Sequence, residues 1–465
     1  MRFSLLIVGA AIFMRFRLSL HGKQILYQWS ELENHLIHAP FGLARVLSTA
    51  YTHALYLTKL CWPQYLCYDY GFDEIPLITA FSDVRNLHTV GAYAVTLWCL
   101  RKAWRDPRSP FLSVVSLALF SFVPAANIVF PAGAVLAERL LYLPSVGFCL
   151  AIGCLVEEAQ GNLARKYPKY PSRPRTVLFG GLILIFFVKC ILRNREWQTE
   201  ERLFDSAARV APNSVKVLNN LAKIYLTSEH ADTAINLLQR ALHIYSPHAI
   251  AHLNMALAYG IKNKYNHAMQ SLSNSMQLEH EYHAAHGYYG DMILTLFGDV
   301  HTPKAKQYVN TAARHLDFAV SAPRPHPTFL ITRGIAAAAS TDSVDAALMY
   351  FDLAEQQNAL VAHENIDTDR IVDMSHAYNS LANTLVKQNR TELAKTIYQH
   401  GLQRFPSSIE LLNNAAVLYS HEGNYHTALS IYAQALALDP DNAVIATNAG
   451  EYHAFDKCMI YRASN

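Results

Sequence analysis

The sequence lacks strong net charge and the common cysteine and histidine motifs of metal sites. Its formal net charge is only +3 at pH 7, and no basic patch with interleaved aromatic residues is present, which argues against a nucleic-acid-binding surface. No two of its seven cysteines form a CxxC pair, and its 22 histidines include no HExxH motif. Neither a zinc site nor a disulfide scaffold is therefore indicated. We predict no metal site and no required cofactor.

The character of the sequence changes at about residue 195. Before it, apolar runs are joined by basic connectors; after it, a more polar half is rich in Ala, Leu and Tyr at helical spacing. A length of 465 residues accommodates two or three domains. We predict an all-α protein with a transmembrane region over residues 1–195, a partial multi-spanning helix bundle, and a repeat solenoid over residues 196–465.

Several apolar runs make up the first part of the chain. They are residues 86–100 with their flanks, 111–123, 129–136 joined to 143–156, and 176–192. Some are shorter than the ~20 residues of a perpendicular span, but Tyr, Trp and Pro at their ends are typical of interfacial anchors and broken helices. Residues 45–62 carry His53 and Lys59, which favour an amphipathic helix lying along the membrane. Residues 3–14 are interpreted as a signal-peptide core or as the end of a longer helix.

Basic connectors predict the orientation of these runs. Four basic residues fall within residues 101–108, and five fall within residues 165–175. Positively charged loops stay on the cytoplasmic side of a membrane. The loop over residues 21–85, the charges at 138–139 and everything after about residue 195 are therefore predicted on the opposite, lumenal side.

One pair of charges stands inside apolar sequence. In FPAGAVLAERLLYLP, residues 130–144, Glu138 and Arg139 have no charged neighbour for more than ten residues on either side. A charge at membrane depth costs several kcal/mol unless it is paired or faces water. We interpret the two residues either as a functional site in which Glu138 orients Arg139, or as a short loop whose charges lie in the headgroup layer.

A 34-residue period follows residue 196. Its small and large positions recur in two pairs of segments: residues 221–241 with 255–275, and residues 381–406 with 415–440. This is the tetratricopeptide (TPR) pattern, in which small residues let two antiparallel helices approach and large residues fill the space between them. Gly290 and Gly334 mark less regular repeats. We predict about six repeats, the last one incomplete.

The first helix of this array offers candidate contacts for a partner protein. Lys216, Asn219 and Lys223 occupy helix positions that we expect to face the concave groove, so they are candidate contacts with that protein. The one N-glycosylation triplet, Asn389-Arg390-Thr391, agrees with a lumenal solenoid. Chance occurrence also accounts for a single triplet.

Two segments of the first part, together with the repeat array, resemble a known family. CWPQYLCYDYGFDEIPLITAFSDVRNLHTV, residues 61–90, and FVPAANIVFPAGAVLAERLLYLPSVGFC, residues 122–149, resemble segments of the transmembrane and TPR-containing O-mannosyltransferases. These belong to the multi-spanning GT-C-type glycosyltransferases. The resemblance extends from about residue 3 to residue 450 and implies a bundle of spanning helices with a lumenal TPR array.

The resemblance implies transfer of mannose from dolichyl-phosphate mannose to Ser or Thr of lumenal proteins, notably cadherin-type domains, in the endoplasmic reticulum membrane. The implied partners are that membrane, the lipid-linked donor and lumenal clients. The catalytic acid of the family lies in its first lumenal loop, which would precede Met1 of this sequence. We therefore assign no catalytic residue and expect the chain to be inactive alone. The alternative is a non-catalytic membrane adaptor that presents a lumenal TPR surface to client proteins.

Glycosyl transfer from a lipid phosphate requires a base for the acceptor hydroxyl and positive charge for the departing phosphate. Arg139 is the candidate phosphate ligand, because a guanidinium is a planar cation with several donors. The other candidates for the donor pocket are Glu138, Asp83 and Arg85. The candidates for acceptor binding are Asp69 and Asp73, together with Lys216, Asn219 and Lys223 of the first repeat helix. Asp83 is equally well interpreted as a helix cap, which is worth ~1 kcal/mol without any catalytic role.

Overall fold

The computed structural model describes residues 15, 29–72, 74–129, 131–166, 173–227, 229–297, 302–341, 343–364 and 371–450. These residues contain helices and connecting loops but no β-strand, which confirms the predicted all-α class. The chain forms two compact units, Met1–Lys262 and Asn263–Asn465. The predicted domain boundary at residue 195 therefore falls inside the first unit.

The first unit begins with a group of apolar helices and continues into the repeat array. Its helices are α1 (His35–His38), α2 (Leu43–Cys61), α3 (Arg85–Arg105), α4 (Pro110–Phe122), α5 (Tyr142–Lys166), α6 (Arg173–Glu196), α7 (Glu200–Val210), α8 (Val215–Ile224), α9 (Ala231–Ile244) and α10 (Ala249–Ile261). Two 3-10 helices, Val123–Ala125 and Glu138–Leu141, flank the loop between α4 and α5.

The apolar segment over residues 129–136 differs from its prediction. The sequence joins it to residues 143–156 as one apolar run, but residues 131–137 form an irregular loop. Val135 and Leu136 are buried in a cluster with Tyr56, Tyr68 and other residues of the first unit. Their apolar character therefore serves packing within the protein, which hydropathy alone does not distinguish from contact with lipid.

Within the described residues, one helical stretch is long and apolar enough to cross a membrane. It runs from Glu138 to Leu163 and comprises the second 3-10 helix and most of α5. Pro110–Ala125 is apolar but shorter. Several membrane spans are predicted, and the described residues support one of them by its length and composition.

Helices α4 and α5 pack at very close range around Gly147. A Cβ atom on Gly147 would lie 2.8 Å from both the Cα atom of Ala118 and the carbonyl oxygen of Val114, which belong to α4. Backbone atoms cannot move aside as a flexible side chain can. Small residues at such contacts let apolar helices approach closely. Gly153, further along α5, has no atom within 4 Å of the corresponding position.

This contrast predicts opposite effects of the same substitution on one helix. Gly147→Ala should lower the free energy of unfolding by about 1–3 kcal/mol, because it forces α4 and α5 apart. Gly153→Ala should leave it unchanged or raise it by up to about 1 kcal/mol, because Ala favours helix more than Gly. Denaturant unfolding of both variants in detergent micelles measures the difference. Equal effects would contradict the close packing.

Repeat helices in both units bury the residues that the period predicts. In the first unit, Ala222, Ala234 and Leu238 are fully buried between α8 and α9. Side-chain caps start two of the helices there: Thr199 accepts a hydrogen bond from the backbone N–H of Arg202, and Ser214 accepts one from that of Val217. Such caps satisfy amide donors that a helix start leaves unpaired.

The second unit continues the alternation of helices. It contains α11 (Tyr265–Leu278), α12 (His283–Phe297), α13 (Pro303–Val320), α14 (Pro327–Ser340), α15 (Asp345–Glu364), α16 (Met374–Lys387), α17 (Thr391–Arg404), α18 (Ile409–His421) and α19 (Tyr425–Leu438). A further helical segment covers residues 443–450. Ala382, Ala394, Ala416 and Ala428 are fully buried, which confirms the small positions of the TPR pattern.

Candidate functional site

A cleft of about 380 Å³ in the first unit brings together two cations, two carboxylates and a tryptophan. Its polar and aromatic lining residues are Trp29, Glu33, Asp69, Arg139 and Lys216, and Gly133, Ala134 and Leu140 complete it. The volume is within the range of ~300–1,000 Å³ that is typical of small-molecule sites. We call this site the Asp69 cleft.

Backbone hydrogen bonds fix the two segments that supply Asp69 and Arg139. The N–H of Tyr70 donates to the carbonyl of Leu136 at 2.9 Å, and the N–H of Glu138 donates to the carbonyl of Cys67 at 3.3 Å. The loop after α2 therefore runs beside the start of the second 3-10 helix. This pairing holds the two residues close together although they are distant in sequence.

The hydroxyl of Tyr56, on α2, accepts a further hydrogen bond from the backbone N–H of Ala137 at 3.1 Å. Cys67, in the same buried cluster, donates its thiol hydrogen to the carbonyl of Asp69 at 3.2 Å. Burial raises the pKa of this thiol to about 12. A thiolate is thus strongly disfavoured there, and Cys67 acts as a packing residue.

Gly133 and Trp29 shape the opposite wall of the cleft. A Cβ atom at Gly133 would lie 2.6 Å from the indole ring of Trp29, so this contact requires glycine unless the ring moves. The indole Nε1 donates to the carbonyl of Pro131 at 3.1 Å. The buried Asn34 donates to the side-chain oxygen of Asn127 at 2.8 Å and thereby ties α1 to the same loop.

Asp69 is the most deeply buried charged group of the cleft, with 3% of its surface exposed. Its Oδ2 atom lies 3.2 Å from Nζ of Lys216 and 3.7 Å from Nη2 of Arg139. Its Oδ1 atom is buried and has no hydrogen-bond partner among the described residues. Burial raises the pKa of the Asp69 carboxyl, and attraction by Lys216 and Arg139 opposes that rise. The carboxylate therefore offers one acceptor atom that a ligand hydroxyl can satisfy.

One edge of the Arg139 guanidinium is hydrogen-bonded to the protein, and the other edge is exposed. Its Nη1 donates to the carbonyl of Tyr68 at 3.2 Å, and 48% of its side chain remains exposed. The other donors of the guanidinium fork are thus available for an oxyanion at the mouth of the cleft. Glu33 also lines the cleft and accepts hydrogen bonds from the backbone N–H and the hydroxyl of Ser30, at 2.8 and 3.1 Å.

The expected orientation of Arg139 by Glu138 is wrong. Glu138 forms a largely buried ion pair with Arg193 at the end of α6, with Nε 3.0 Å from each carboxylate oxygen. The indole Nε1 of Trp197 donates to the same carboxylate at 3.0 Å. Successive residues in a 3-10 helix project about 120° apart, so Glu138 and Arg139 face different neighbours.

Asp83 and Arg85 lie away from the Asp69 cleft and pair with each other at 2.6 Å. Asp83 also accepts a hydrogen bond from the backbone N–H of Arg85 at 2.9 Å, where α3 begins. Arg85 donates to the carbonyls of Pro76 and Leu77 at 2.8 and 3.2 Å. Asp83 lies one residue before Val84, the N-cap residue of α3, so it is not itself the cap. Its contacts with Arg85 give both residues the role of fastening the loop before α3.

The three predicted acceptor contacts on α8 have different environments. Lys216 is paired with Asp69 in the cleft, and the loop after α2 covers it. Asn219 is buried and accepts a hydrogen bond from Asn254 of α10 at 3.0 Å, and Lys223 is exposed. Asp73 lies outside the described residues. Asn389 lies on an exposed turn between α16 and α17, with a positive φ of 57°.

Several residues of the site carry no local sequence signal. Trp29 and Glu33 reach the cleft from a segment before α1, and Arg193 lies just beyond the predicted apolar run over residues 176–192. Gly133, in the stretch PAGAV, is the one local indication, because glycine often marks a position where a ring or another backbone segment comes close. The sequence does not indicate that this ring belongs to Trp29, about one hundred residues away.

Chemically, the Asp69 cleft combines two functions that a phosphate- and hydroxyl-bearing ligand needs. Arg139 and Lys216 supply positive charge, and the Arg139 side chain is about half exposed whereas that of Lys216 is mostly covered. Asp69 supplies an unsatisfied carboxylate oxygen. Arginine recognises phosphate through paired N–H donors, and a buried carboxylate accepts hydroxyl hydrogens.

Comparison with known proteins gives matches over both parts of the chain. Residues 23–97 match the family described as "Protein O-mannosyl-transferase TMTC, DUF1736". Residues 375–408 and 411–444 match tetratricopeptide repeats. The first of these ranges contains Asp69, and the two repeat ranges cover α16–α17 and α18–α19.

Among curated proteins, the chain is 26% identical to mouse protein O-mannosyl-transferase TMTC3 over 371 residues, covering 77% of this chain and 34% of that protein. It is 32% identical to mouse protein O-mannosyl-transferase TMTC1 over 255 residues, covering 54% of this chain and 26% of that protein. The chain therefore spans about a third or less of these relatives. Among solved structures, the APC/C hetero-tetramer Cut9-Hcn1 matches at 13% identity with a TM-score of 0.38, over 54% of this chain and 45% of that one.

Proposed function

Because this chain belongs to the TMTC family of protein O-mannosyl-transferases, we propose that it serves in mannosyl transfer from a lipid-linked donor, dolichyl-phosphate mannose, to Ser or Thr of lumenal proteins. The Asp69 cleft is the proposed site for the polar part of that reaction. Arg139 would bind the donor phosphate, and Asp69 would accept a hydrogen bond from a hydroxyl of the acceptor or the sugar.

The position of Arg139 carries this proposal. Arg139 is the second residue of the stretch Glu138–Leu163, the one described stretch long and apolar enough to span a membrane. A residue at the end of a span lies near the membrane surface, which is where the phosphate of a membrane-anchored lipid also lies. The exposed edge of Arg139 can therefore reach that phosphate without the donor leaving the membrane.

Asp69 suits a hydroxyl because its free oxygen is buried rather than solvated. An unpartnered buried acceptor costs about 1–3 kcal/mol, and a ligand hydroxyl that satisfies it recovers part of that cost. Lys216 and Arg139 keep the other oxygen occupied, so Oδ1 is the atom available to a ligand. The fixed geometry limits the reorganisation that binding requires.

Further helices of the first unit support insertion of more than one span. On α3, Leu87 and Leu97 are 72% and 63% exposed, and on α6, Leu184 and Phe187 are 61% and 60% exposed. Large apolar side chains exposed along whole helices are typical of surfaces that another phase or protein covers. We propose that α3 and α6 also contact lipid, in a multi-pass arrangement within the endoplasmic reticulum membrane.

The repeat array is proposed to bind the protein that receives the sugar. TPR helices form extended surfaces for polypeptide segments, and the last two complete helix pairs match the repeat family. Lys223 remains a candidate contact because it is exposed on α8. Lys216 instead couples the beginning of the array to the cleft.

Because we expect this chain to be inactive alone, the decisive test is mannosyl transfer to a lumenal cadherin-type reporter by a full-length relative that carries each substitution at the matching position. Arg139→Gln should lower the transfer rate by about 100-fold, because it removes positive charge at the departing phosphate. Arg209→Gln removes the same charge from an exposed position on α7, outside the cleft, and should change the rate less than twofold. Undiminished transfer by Arg139→Gln would remove this residue from the mechanism.

A second function is favoured by the repeat array itself. A non-catalytic adaptor would hold lumenal clients through its TPR surface and would not depend on the Asp69 cleft. It predicts that the chain does not bind dolichyl-phosphate mannose and that Arg139→Gln leaves client binding intact. Donor binding and client capture, measured on the same membranes, thus distinguish the two functions.

Asn389 tests the proposed lumenal position of the array. Its exposed turn makes the triplet accessible, so the chain should carry one N-glycan there. The expected result is an endoglycosidase-sensitive mobility shift that Asn389→Gln abolishes. If an optimised triplet at the same turn is never glycosylated, the array is not lumenal and the proposed orientation fails.

A further inference from the structure

A second cleft, of about 330 Å³, lies where α3 ends, α4 begins and the second half of α5 passes. Its lining includes the basic and aromatic residues Trp98, Arg101, Lys102, Arg105 and Phe111, together with Glu158. Nothing in the reaction proposed above uses these residues. We call this site the Arg101 cleft.

Two guanidinium groups of this cleft have no counter-charge among the described residues. Lys102 is committed to Glu158 at 2.7 Å, and its ammonium lies 5.8 Å from the centre of the Phe111 ring. Arg101 and Arg105 form no ion pair with any residue that the structure describes. Their charges remain available to an anion.

The remaining polar groups of the cleft are Asp106 and Ser109. Oδ1 of Asp106 accepts a hydrogen bond from the backbone N–H of Arg108 at 3.3 Å, and Oγ of Ser109 accepts one from that of Phe111 at 3.2 Å. Ser109 thereby caps α4, and the positive end of that helix faces the same region. With Glu158 neutralised by Lys102, the two arginines outnumber the one remaining carboxylate.

The surface around the cleft is apolar and aromatic. Trp98 and Trp104 are 53% and 82% exposed, and Leu97, on the same helix, is also largely exposed. Tryptophan is enriched at the boundary between lipid and water, and basic pockets between membrane helices bind anionic headgroups. A free phosphate ion gains nothing from contact with these apolar side chains, whereas the acyl chains of a diacyl lipid can pack against them.

This cleft lies at the opposite end of the span from Arg139. Glu158 and Glu138 are separated by 20 residues along the apolar stretch, or about 30 Å at the rise of an α-helix, which matches the thickness of a hydrocarbon core. We infer that the Arg101 cleft binds the headgroup of an anionic glycerophospholipid, with Arg101 and Arg105 on its phosphate. The inference rests on membrane insertion of α5 but not on mannosyl transfer.

Lipid binding to the purified full chain in neutral detergent tests this inference. Native mass spectrometry should show one dioleoyl phosphatidylserine retained at concentrations at least tenfold below those needed for dioleoyl phosphatidylcholine. The double variant Arg101→Gln/Arg105→Gln should weaken retention at least tenfold. Inorganic phosphate at millimolar concentration should not displace the lipid. Displacement by phosphate would identify a site for free phosphate and overturn the inference.

A matched control separates a specific cleft from general charge attraction. Arg165→Gln/Lys166→Gln removes two positive charges from the end of α5, outside the cleft, and should alter retention less than twofold. Equal losses in the two double variants would overturn the inference. Trp98→Ala, which leaves all charges in place, should reduce retention of the lipid severalfold. The inference would also be overturned if both Trp98→Ala and the double arginine variant retained the lipid as well as the unmodified chain does.

Discussion

Replacing Glu138 with Gln is expected to lower the free energy of unfolding of the chain by about 3 kcal/mol. The Glu138 and Arg193 side chains are only 11% and 12% exposed, so the substitution leaves a buried guanidinium without its main counter-ion. Breaking one side of a buried ion pair typically costs about 3–5 kcal/mol. The lower end applies because Glu196 and Ser206 still contact Arg193.

Circular dichroism during denaturant unfolding in detergent micelles provides the measurement. Glu196→Gln is the matched control: it removes a carboxylate from the same arginine, but one that is 38% exposed, and should cost less than about 1 kcal/mol. If both substitutions cost the same, the buried pair does not join α6 to the start of α5.

Acid is expected to destabilise the first unit through His248. This residue precedes α10, is 7% exposed, and its Nδ1 atom has no hydrogen-bond partner among the described residues. Burial, with His252 and Lys216 nearby, lowers the pKa of His248 from 6.5 to about 4. The folded chain therefore binds this proton less readily than the unfolded chain does.

The lowered pKa of His248 determines in which direction, and over which pH range, the free energy of unfolding changes. The contribution of His248 is fully present above pH 6.5 and is lost as pH falls toward about 4, where the folded state also becomes protonated. The total is roughly 3 kcal/mol, at 1.36 kcal/mol for each pKa unit. It should appear as a steeper loss of unfolding free energy in the unmodified chain than in His248→Gln.

His243→Gln, an exposed position on α9, is the control for this pH dependence and should retain the steep loss. Circular dichroism of denaturant unfolding at several pH values gives the slopes. Parallel slopes for the unmodified chain and His248→Gln would mean that His248 does not remain neutral in the fold. Any pH-independent cost of the substitution cancels in this comparison.

The repeat half could be predicted from sequence because its packing is local and periodic. The small residues at 222, 234, 382 and 394 are fully buried as the period requires. Each pair of neighbouring helices repeats one contact pattern, so the spacing of residues carries nearly all the information. The irregular stretch around Gly290 also follows this rule, since a Cβ atom there would lie 2.7 Å from Leu316.

The site could be predicted only in part. The isolation of Glu138 and Arg139 in apolar sequence indicated two charges that need partners, but not which partners. The structure supplies Arg193 for one and Asp69 for the other, each more than fifty residues away. Repeat spacing predicts that Lys216 faces an open groove. It cannot show that a distant loop covers the first helix of the array and that Lys216 pairs with Asp69 of that loop.

The equilibrium affinity of the purified chain for dolichyl-phosphate mannose tests most directly whether Arg139 binds the lipid phosphate. We expect Arg139→Gln to weaken this affinity at least tenfold, Lys223→Gln to leave it unchanged, and dolichyl phosphate, but not dolichol, to compete. Equal affinity of Arg139→Gln and the unmodified chain for the donor would contradict the assignment.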